Sequence, residues 1–271
     1  MTPVEPGSAF GADQMLKNLD RLPTFSPILN RLVATLAAED VSFAHVAELI
    51  ETDTVLAGNI LRLVNSALYG LGGTVNSVRH AVAILGMNKL RNAALGMSIS
   101  RMWTQVRTPP GWSTARFNLH SAATAVLTDL LSERVPVPYP EGGFVAGLLH
   151  DIGKLLRAVS LPEEPWDADT SAVDHAELSH AVLARWNLPL PIQEAALYHH
   201  SPEQAAGGEP HLALLVNAAD KLANDLGHSL ASRQPVQDEP AAHLEPLGIS
   251  DQFPELLGRF ETEFEALREY F

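Results

Sequence analysis

The apolar run Phe144-Val-Ala-Gly-Leu-Leu149 ends on His150 and Asp151, inside the octet GLLHDIGK at 147–154. No other stretch restricts the fold as tightly. A run of small and aliphatic residues belongs in a core, and an imidazole and a carboxylate at its end are costly to bury unless other groups pair with them. A fold that buries this segment must bring further polar side chains to the same point from elsewhere in the chain.

The surrounding sequence is periodic at helical spacing. FSPILNRLVATLAAE (25–39) places Ile28, Leu32 and Leu36 at i, i+4 and i+8. Ser26-Pro27 reads as an N-cap followed by a first-turn proline. Helices are expected at 42–51 and 55–68, with Thr52-Asp53-Thr54 as the break. Another is expected at 77–85, capped by Ser77 and stopped by Gly86, and a longer one from about Asn88 to Trp103. YGLGG (69–73) is a loop and lacks the Gly-Lys-Ser/Thr of a phosphate loop. After the break TQVRTPPGW (104–112), helices are expected at 113–134, 143–159, 174–187, 191–200 and 211–227. Loops are expected at 133–143, 161–170, 201–210 and 228–240, then acidic helices such as 254–271. With no alternating strand of useful length, the expected class is all-α. The expected organisation is a flexible tail at 1–11, an N-terminal helical subdomain at 12–108, a multi-helix bundle at 112–227 and a C-terminal loop with acidic helices at 228–271.

Eighteen basic against 32 acidic residues give a net charge of −14. Such a field repels nucleic-acid phosphates and anionic membrane surfaces, so neither is expected as a partner. The chain has no cysteine. Disulfides and thiolate ligands are therefore excluded, and any metal must be held by histidine and carboxylate. The first residues lack the basic and apolar regions of a secretory signal, and no run of 18 apolar residues occurs, so the expected location is the cytoplasm.

Five histidines fall on the expected helices of the second half: His120, His150, His175, His199 and His200. Asp151 and Asp220 fall there too. Each of five successive helices supplies at least one of these residues. Helical bundles build metal centres in this way, from side chains that project inward from facing helices. Imidazole and carboxylate together suit divalent first-row ions such as Fe, Mn, Zn, Ni and Co. Singly, each residue has a plainer reading. Asp151 fits an i, i+3 pair with Lys154, worth about 0.2–0.5 kcal/mol on a helix surface. His199-His200 fits a solvated helix end, and Asp220 a pair with Lys221. His45, His80, His180, His211, His228 and His243 are read as ordinary surface or core residues.

The order His120, His150-Asp151, His175, His199-His200, Asp220 resembles the HD superfamily of metal-dependent phosphohydrolases. NILRLVNSALYG (59–70) with SVRHAVAILGMNKLR (77–91) resembles the first half of an HDOD domain. GLLHDIGKLL (147–156), HAELSHAVLARWNLPLPIQEAALYHH (175–200) and NAADKLA (217–223) resemble its second half. The resemblance covers about residues 15–225 and makes 112–227 an HD-like bundle. It implies His120, His150, Asp151 and Asp220 around one divalent ion, with Asp151 placed to bridge two. It implies His175, His199 and His200 at a second position. Lys154 resembles the lysine of the HDxGK motif and would contact a phosphate or an acidic neighbour; a solvated helix end is its plain alternative.

HDOD domains are regulatory relatives of the HD hydrolases in bacterial signalling proteins, and many have lost their metal ligands. This chain keeps nearly the whole set, which argues for one or two bound ions. The likeness to HD-GYP phosphodiesterases is distant: the GYP motif is missing, and Ser201 follows His200 where those enzymes carry glutamate. That departure weighs against cyclic dinucleotide hydrolysis.

The leading expectation is a signal-transduction module that binds metal and relays its state to a protein partner, with a small phosphate-containing ligand as an option. The alternative is a metal-dependent phosphohydrolase acting on a nucleotide, a cyclic dinucleotide or another phosphate ester, with Asp151 and Lys154 as its catalytic residues. A DNA-binding reading of 42–68 and 77–103 is the weakest, because the second helices there carry few basic residues. Trp186 is read as core, with a lid as the lesser option. Asn65-Ser66 is read as a helix cap, with an interdomain contact as the alternative.

Overall fold

The computed structural model describes residues 17–36, 41–66, 69, 74–162, 174–205, 210–230 and 239–271. The tail expected at 1–11 lies outside the described residues. So do most of the loops expected at 69–73, 161–170 and 228–240 and part of the one at 201–210.

Among the described residues the fold is all-α, with twelve α-helices. They are α1 Pro27–Ala34, α2 Phe43–Glu51, α3 Thr54–Val64, α4 Val78–Leu85, α5 Met87–Trp103, α6 Thr114–Ser132, α7 Gly143–Leu149, α8 Ile152–Ser160, α9 His175–Arg185, α10 Leu190–Tyr198, α11 Leu212–Ala223 and α12 Phe253–Leu267. Short polar residues set many of the starts. Ser26, Ser42, Ser77 and Ser113 each accept a backbone N–H three residues on. Asp53 caps α3 by accepting the Val55 and Leu56 N–H groups, and Asp174 caps α9 by accepting that of Ala176. Each such cap is worth about 1 kcal/mol. Gly86, at φ 77°, separates α4 from α5.

Helices α5 and α6 form the spine. From Leu90 to Trp103 every residue except Ser98 and Arg101 is buried, as a helix packed on all sides requires. On one side α1 to α4 pack on one another and on α5. On the other, α7 and α11 pack on α6, and α8, α9 and α10 continue the layer. Trp186, at the end of α9, joins the two sides: its ring stacks on Trp103 at 6.0 Å and lies 4.6 Å from Phe25. Its place is in the packing between halves, as the core reading expects.

Asn65 ends α3 and closes the following loop on itself. Its Nδ2 donates to the Leu61 and Val75 carbonyls, and its Oδ1 accepts from the Val75 N–H. The capping reading of this residue therefore holds, and α3 stops at Val64 rather than continuing to 68.

The largest departure lies at GLLHDIGK (147–154). One helix is expected over 143–159. The structure has two, and the break falls on His150-Asp151, with Asp151 at φ −101° and ψ 11°. Asp151 precedes α8 without capping it, because its carboxylate is turned toward the histidines and Lys154.

Candidate metal centre

Two close helix crossings aim the central residues. At Gly147, a Cβ would stand 2.7 Å from the Thr124 carbonyl and 2.8 Å from Ala125 Cα, so α7 meets α6 backbone to backbone. That contact sets the His150 ring 5.3 Å from the His120 ring. At Gly153, a Cβ would collide with the His175 carbonyl and stand 2.7 Å from the Ser179 N. The Gly153 N–H donates instead to Ser179 Oγ at 2.8 Å. Helix α8 is thereby held on the first turn of α9, which brings His175 to Asp151.

The structure draws His120, His150, Asp151, His175, His199, His200 and Asp220 into one pocket. Asp151 stands at its centre, fully buried. Its Oδ2 lies 3.4 Å from His120 Nε2, 3.5 Å from His150 Nε2 and 2.6 Å from Lys154 Nζ. Its Oδ1 faces the other way, 3.3 Å from His175 Nε2 and 3.7 Å from His199 Nε2. Asp220 Oδ1 closes the first side at 3.3 Å from His120 Nε2 and 3.8 Å from His150 Nε2. His200 closes the second, its Nε2 at 2.9 Å from that of His175. The ligand atoms of His120, His150 and Asp151 all lie within 4.8 Å of one another, as do those of His175, His199 and His200. The first group is buried; at the second, His200 is exposed and His175 partly so.

The rings are held from behind. His120 Nδ1 donates to the His228 carbonyl at 3.0 Å, His150 Nδ1 to Gly147 at 2.8 Å and His199 Nδ1 to Ala196 at 2.7 Å. A carbonyl only accepts, so each contact places the proton on Nδ1 and turns Nε2 inward. Asn217 braces the second group by donating to the His199 carbonyl at 2.5 Å, and Asn224 donates to Asp220 Oδ1 at 3.0 Å.

Four inward atoms have no hydrogen-bond partner among the described residues: Nε2 of His120, His150 and His199, and Oδ1 of Asp151. Buried polar atoms are ordinarily bonded, and orphans call for a cause such as an ion. The arrangement fits one. Ligand atoms about 2.1 Å from a common ion stand about 3–3.5 Å apart, close to the spacings around His120. Charge favours a cation as well. Burial alone would raise the Asp151 and Asp220 carboxyls, yet Lys154 and the imidazoles around Asp151, and His120 and His150 around Asp220, hold both well below the usual range. Burial alone would lower His120, but the Asp151 and Asp220 carboxylates facing it carry it to about 9. Burial, with His150 and His200 nearby, pushes His199 well down and leaves it a neutral donor.

The carbonyl of His228, a residue read as ordinary, Ser179 and the bracing Asn217 are functional parts absent from the expected set. A backbone carbonyl has no side-chain signature. Asn217 was visible as part of NAADKLA, three residues before Asp220.

Comparison with known proteins identifies the fold. An HDOD domain protein of unknown function from Geobacter sulfurreducens superposes with a TM-score of 0.74 at 25% identity, covering 96% of this chain and 99% of that one. A Shewanella amazonensis protein provisionally named a phosphohydrolase superposes with a TM-score of 0.70 at 22% identity, covering 95% and 97%, and so shares the fold. An uncharacterised protein of Treponema pallidum (strain Nichols) is 25% identical over 217 residues, 70% of this chain; the chain spans 40% of that relative's length. The family model of the HDOD domain matches residues 22–202, and the chain belongs to that family.

Proposed function

We propose that this chain is a metal-binding HDOD module of signal transduction that relays the state of its metal centre to a protein partner. The observation that carries the reading is the set of four buried, inward, unpartnered ligand atoms of His120, His150, His199 and Asp151. A domain that had kept only its packing would have no need to bury them. In this reading His120, His150, Asp220 and Asp151 Oδ2 hold one divalent first-row ion. His175, His199, His200 and Asp151 Oδ1 hold the second. Lys154 balances the charge on Asp151, and the carbonyls of His228, Gly147 and Ala196 keep each ring in the ligating tautomer. A change at the centre reaches α1–α4 through α6, α5 and the Trp186–Trp103 contact. The kinship to regulatory HDOD domains supports the signalling role.

Phosphate-ester hydrolysis is the second reading, favoured by the partly open side at His175, His200 and Lys154. Paired ions of this kind activate water and stabilise the leaving oxygen of a phosphate ester. The protein's own part would be to hold both sites on one carboxylate and to offer Lys154 to a phosphate. The provisional name of the Shewanella relative points the same way.

Elemental analysis of gently purified protein, followed by titration with Mn, Fe and Zn, tests the common premise. At least one ion per chain is expected, lost in Asp151→Ala. A folded protein that takes up none of these ions overturns both readings. Assays on phosphate esters and cyclic dinucleotides, with and without Mn or Fe, then divide them. Bound metal without turnover supports the signalling module; turnover abolished by Asp151→Ala supports the hydrolase.

A further inference from the structure

A second polar cavity lies away from the metal centre. It has a volume of about 120 Å³ and sits where α5, α6 and the turn at Pro140–Gly142 meet. Asp129, in its wall, is nine residues along α6 from His120, about 13.5 Å of helix rise. The wall carries both signs of charge: Lys89 and Arg91 from α5, Asp129 and Glu133 from α6 and its end, and Glu141 from the turn.

Some of this charge is already matched. Lys89 pairs with Glu263 of α12 at 2.7 Å, and Glu133 with Arg259 at 2.6 Å. The remainder is not. Arg91 is 4% exposed, forms no ion pair among the described residues, and has only long contacts, 3.4 Å to the Thr35 carbonyl and 3.3 Å to Asn88. Its Nε is buried without a partner, and so is Oδ1 of neighbouring Asn92. Asp129 accepts one bond, from Asn92 Nδ2 at 3.0 Å. Thus Arg91 and Asp129 line the same small cavity, near enough to attract each other but without a direct ion pair. Leaving a buried guanidinium such as that of Arg91 without a direct counter-ion is costly.

We propose that this cavity is a binding site for a small zwitterion of the α-amino acid type, its carboxylate on Arg91 and its ammonium between Asp129, Asn92 Oδ1 and Glu141. The ligand's charges reverse those of the wall, so each unmatched group gains a partner. A lone anion would leave Asp129 and Glu141 unmatched, and a lone cation would leave Arg91 so. The size suits the smallest members, since about 120 Å³ is several times the space that one water needs. The state of Asp129 agrees: burial, with Glu263 and Glu133 nearby, pushes its carboxyl up to about 7, with Asn92 and Lys89 opposing. An ammonium beside it would relieve that repulsion. The site does not depend on whether the metal centre is filled.

The test is calorimetric titration of the full chain with glycine, L-alanine and L-serine, against propionate and ethylammonium as half-ligands. Saturable binding of at least one zwitterion is expected, about tenfold or more tighter than either half-ligand. Asp129→Asn, which keeps the side-chain size, should weaken it about tenfold. Glu141→Gln, on an exposed turn where folding is not at stake, should weaken it about threefold. No saturable binding by any of the three zwitterions would overturn the proposal and leave water as the occupant. Binding that neither half-ligand lacks, or that both variants leave unchanged, would overturn it as well. Should Asp129→Asn prove unfolded by circular dichroism, Glu141→Gln and the half-ligands decide.

Discussion

Asp151 is the residue on which most of the chemistry converges, because each of its oxygens faces a different group of imidazoles and one also meets Lys154. Asp151→Asn keeps the shape and removes the charge. Metal affinity is expected to fall by about 100-fold or more, beyond what loss of a supporting group usually costs. Metal-free stability should fall by about 3 kcal/mol, as when one partner leaves a buried pair. Urea midpoints with and without chelator measure both; an unchanged affinity would exclude Asp151 as a ligand. Asp129 makes a different prediction. Its folded pKa of about 7 lies above the unfolded value of about 3.9, so the folded chain holds a proton that the unfolded chain has released. The stability tied to that proton is complete below about pH 4 and is lost as pH rises through about 7. The difference in stability between wild type and Asp129→Asn should therefore change over that window and be flat above it. His150, Asp151 and the double histidine were legible in the sequence because imidazole and carboxylate are rare at the end of apolar helical runs. Arg91 and Asn92 were not, since on a long helix a charged residue reads as solvent-facing until the packing on every side is known.

At the scale of elements, the helices were legible from periodicity and caps, and the break at His150-Asp151 was not. Its cause is a contact distant in sequence: Gly153 must seat on the start of α9, and an unbroken helix would not turn there. Gly153→Ala is accordingly expected to cost about 3 kcal/mol, because the added Cβ meets the His175 backbone and not a movable side-chain tip. A midpoint within a few tenths of a kcal/mol of wild type would show that α8 can slide, and the account of the crossing would fail. Gly227 acts by another route. It sits at φ 91° with open space around its missing Cβ, and it directly precedes the residue whose carbonyl holds His120. The His228 ring is anchored to α12, 4.5 Å from Phe264 and 5.9 Å from Phe260. Gly227→Ala should strain that backbone and re-aim the carbonyl, lowering metal affinity about tenfold with helix content unchanged. His228→Ala keeps the carbonyl and should cost less affinity. The reverse ranking would mean that the ring, not the carbonyl, matters.

At the scale of the whole molecule, the all-α class follows from a sequence with no alternating strand, while the way its halves join does not. The joint runs through Phe25, Trp103 and Trp186, which lie far apart in sequence. Among the described residues no helix is long and apolar enough to cross a membrane. The candidate ligands come from α6, the α7–α8 break, α9, the end of α10 and α11, so an ion at the centre would tie together elements that otherwise meet only as neighbours. Such a tie acts on the folded state alone. An ion at about 100 times its Kd adds about 2.7 kcal/mol, which for a chain of this size corresponds to a rise in Tm of about 5 °C. The effect should be uneven. Helices α9 and α10 reach α6 through α8, α11 and α7 and carry three of the ligands, so hydrogen exchange there should slow most when metal is added. Helices α1–α4, beyond α5, should slow only if the Trp186 contact transmits the change. Protection confined to the metal half would keep the centre but remove the relay; protection that also reaches α1–α4 is what a signalling module requires.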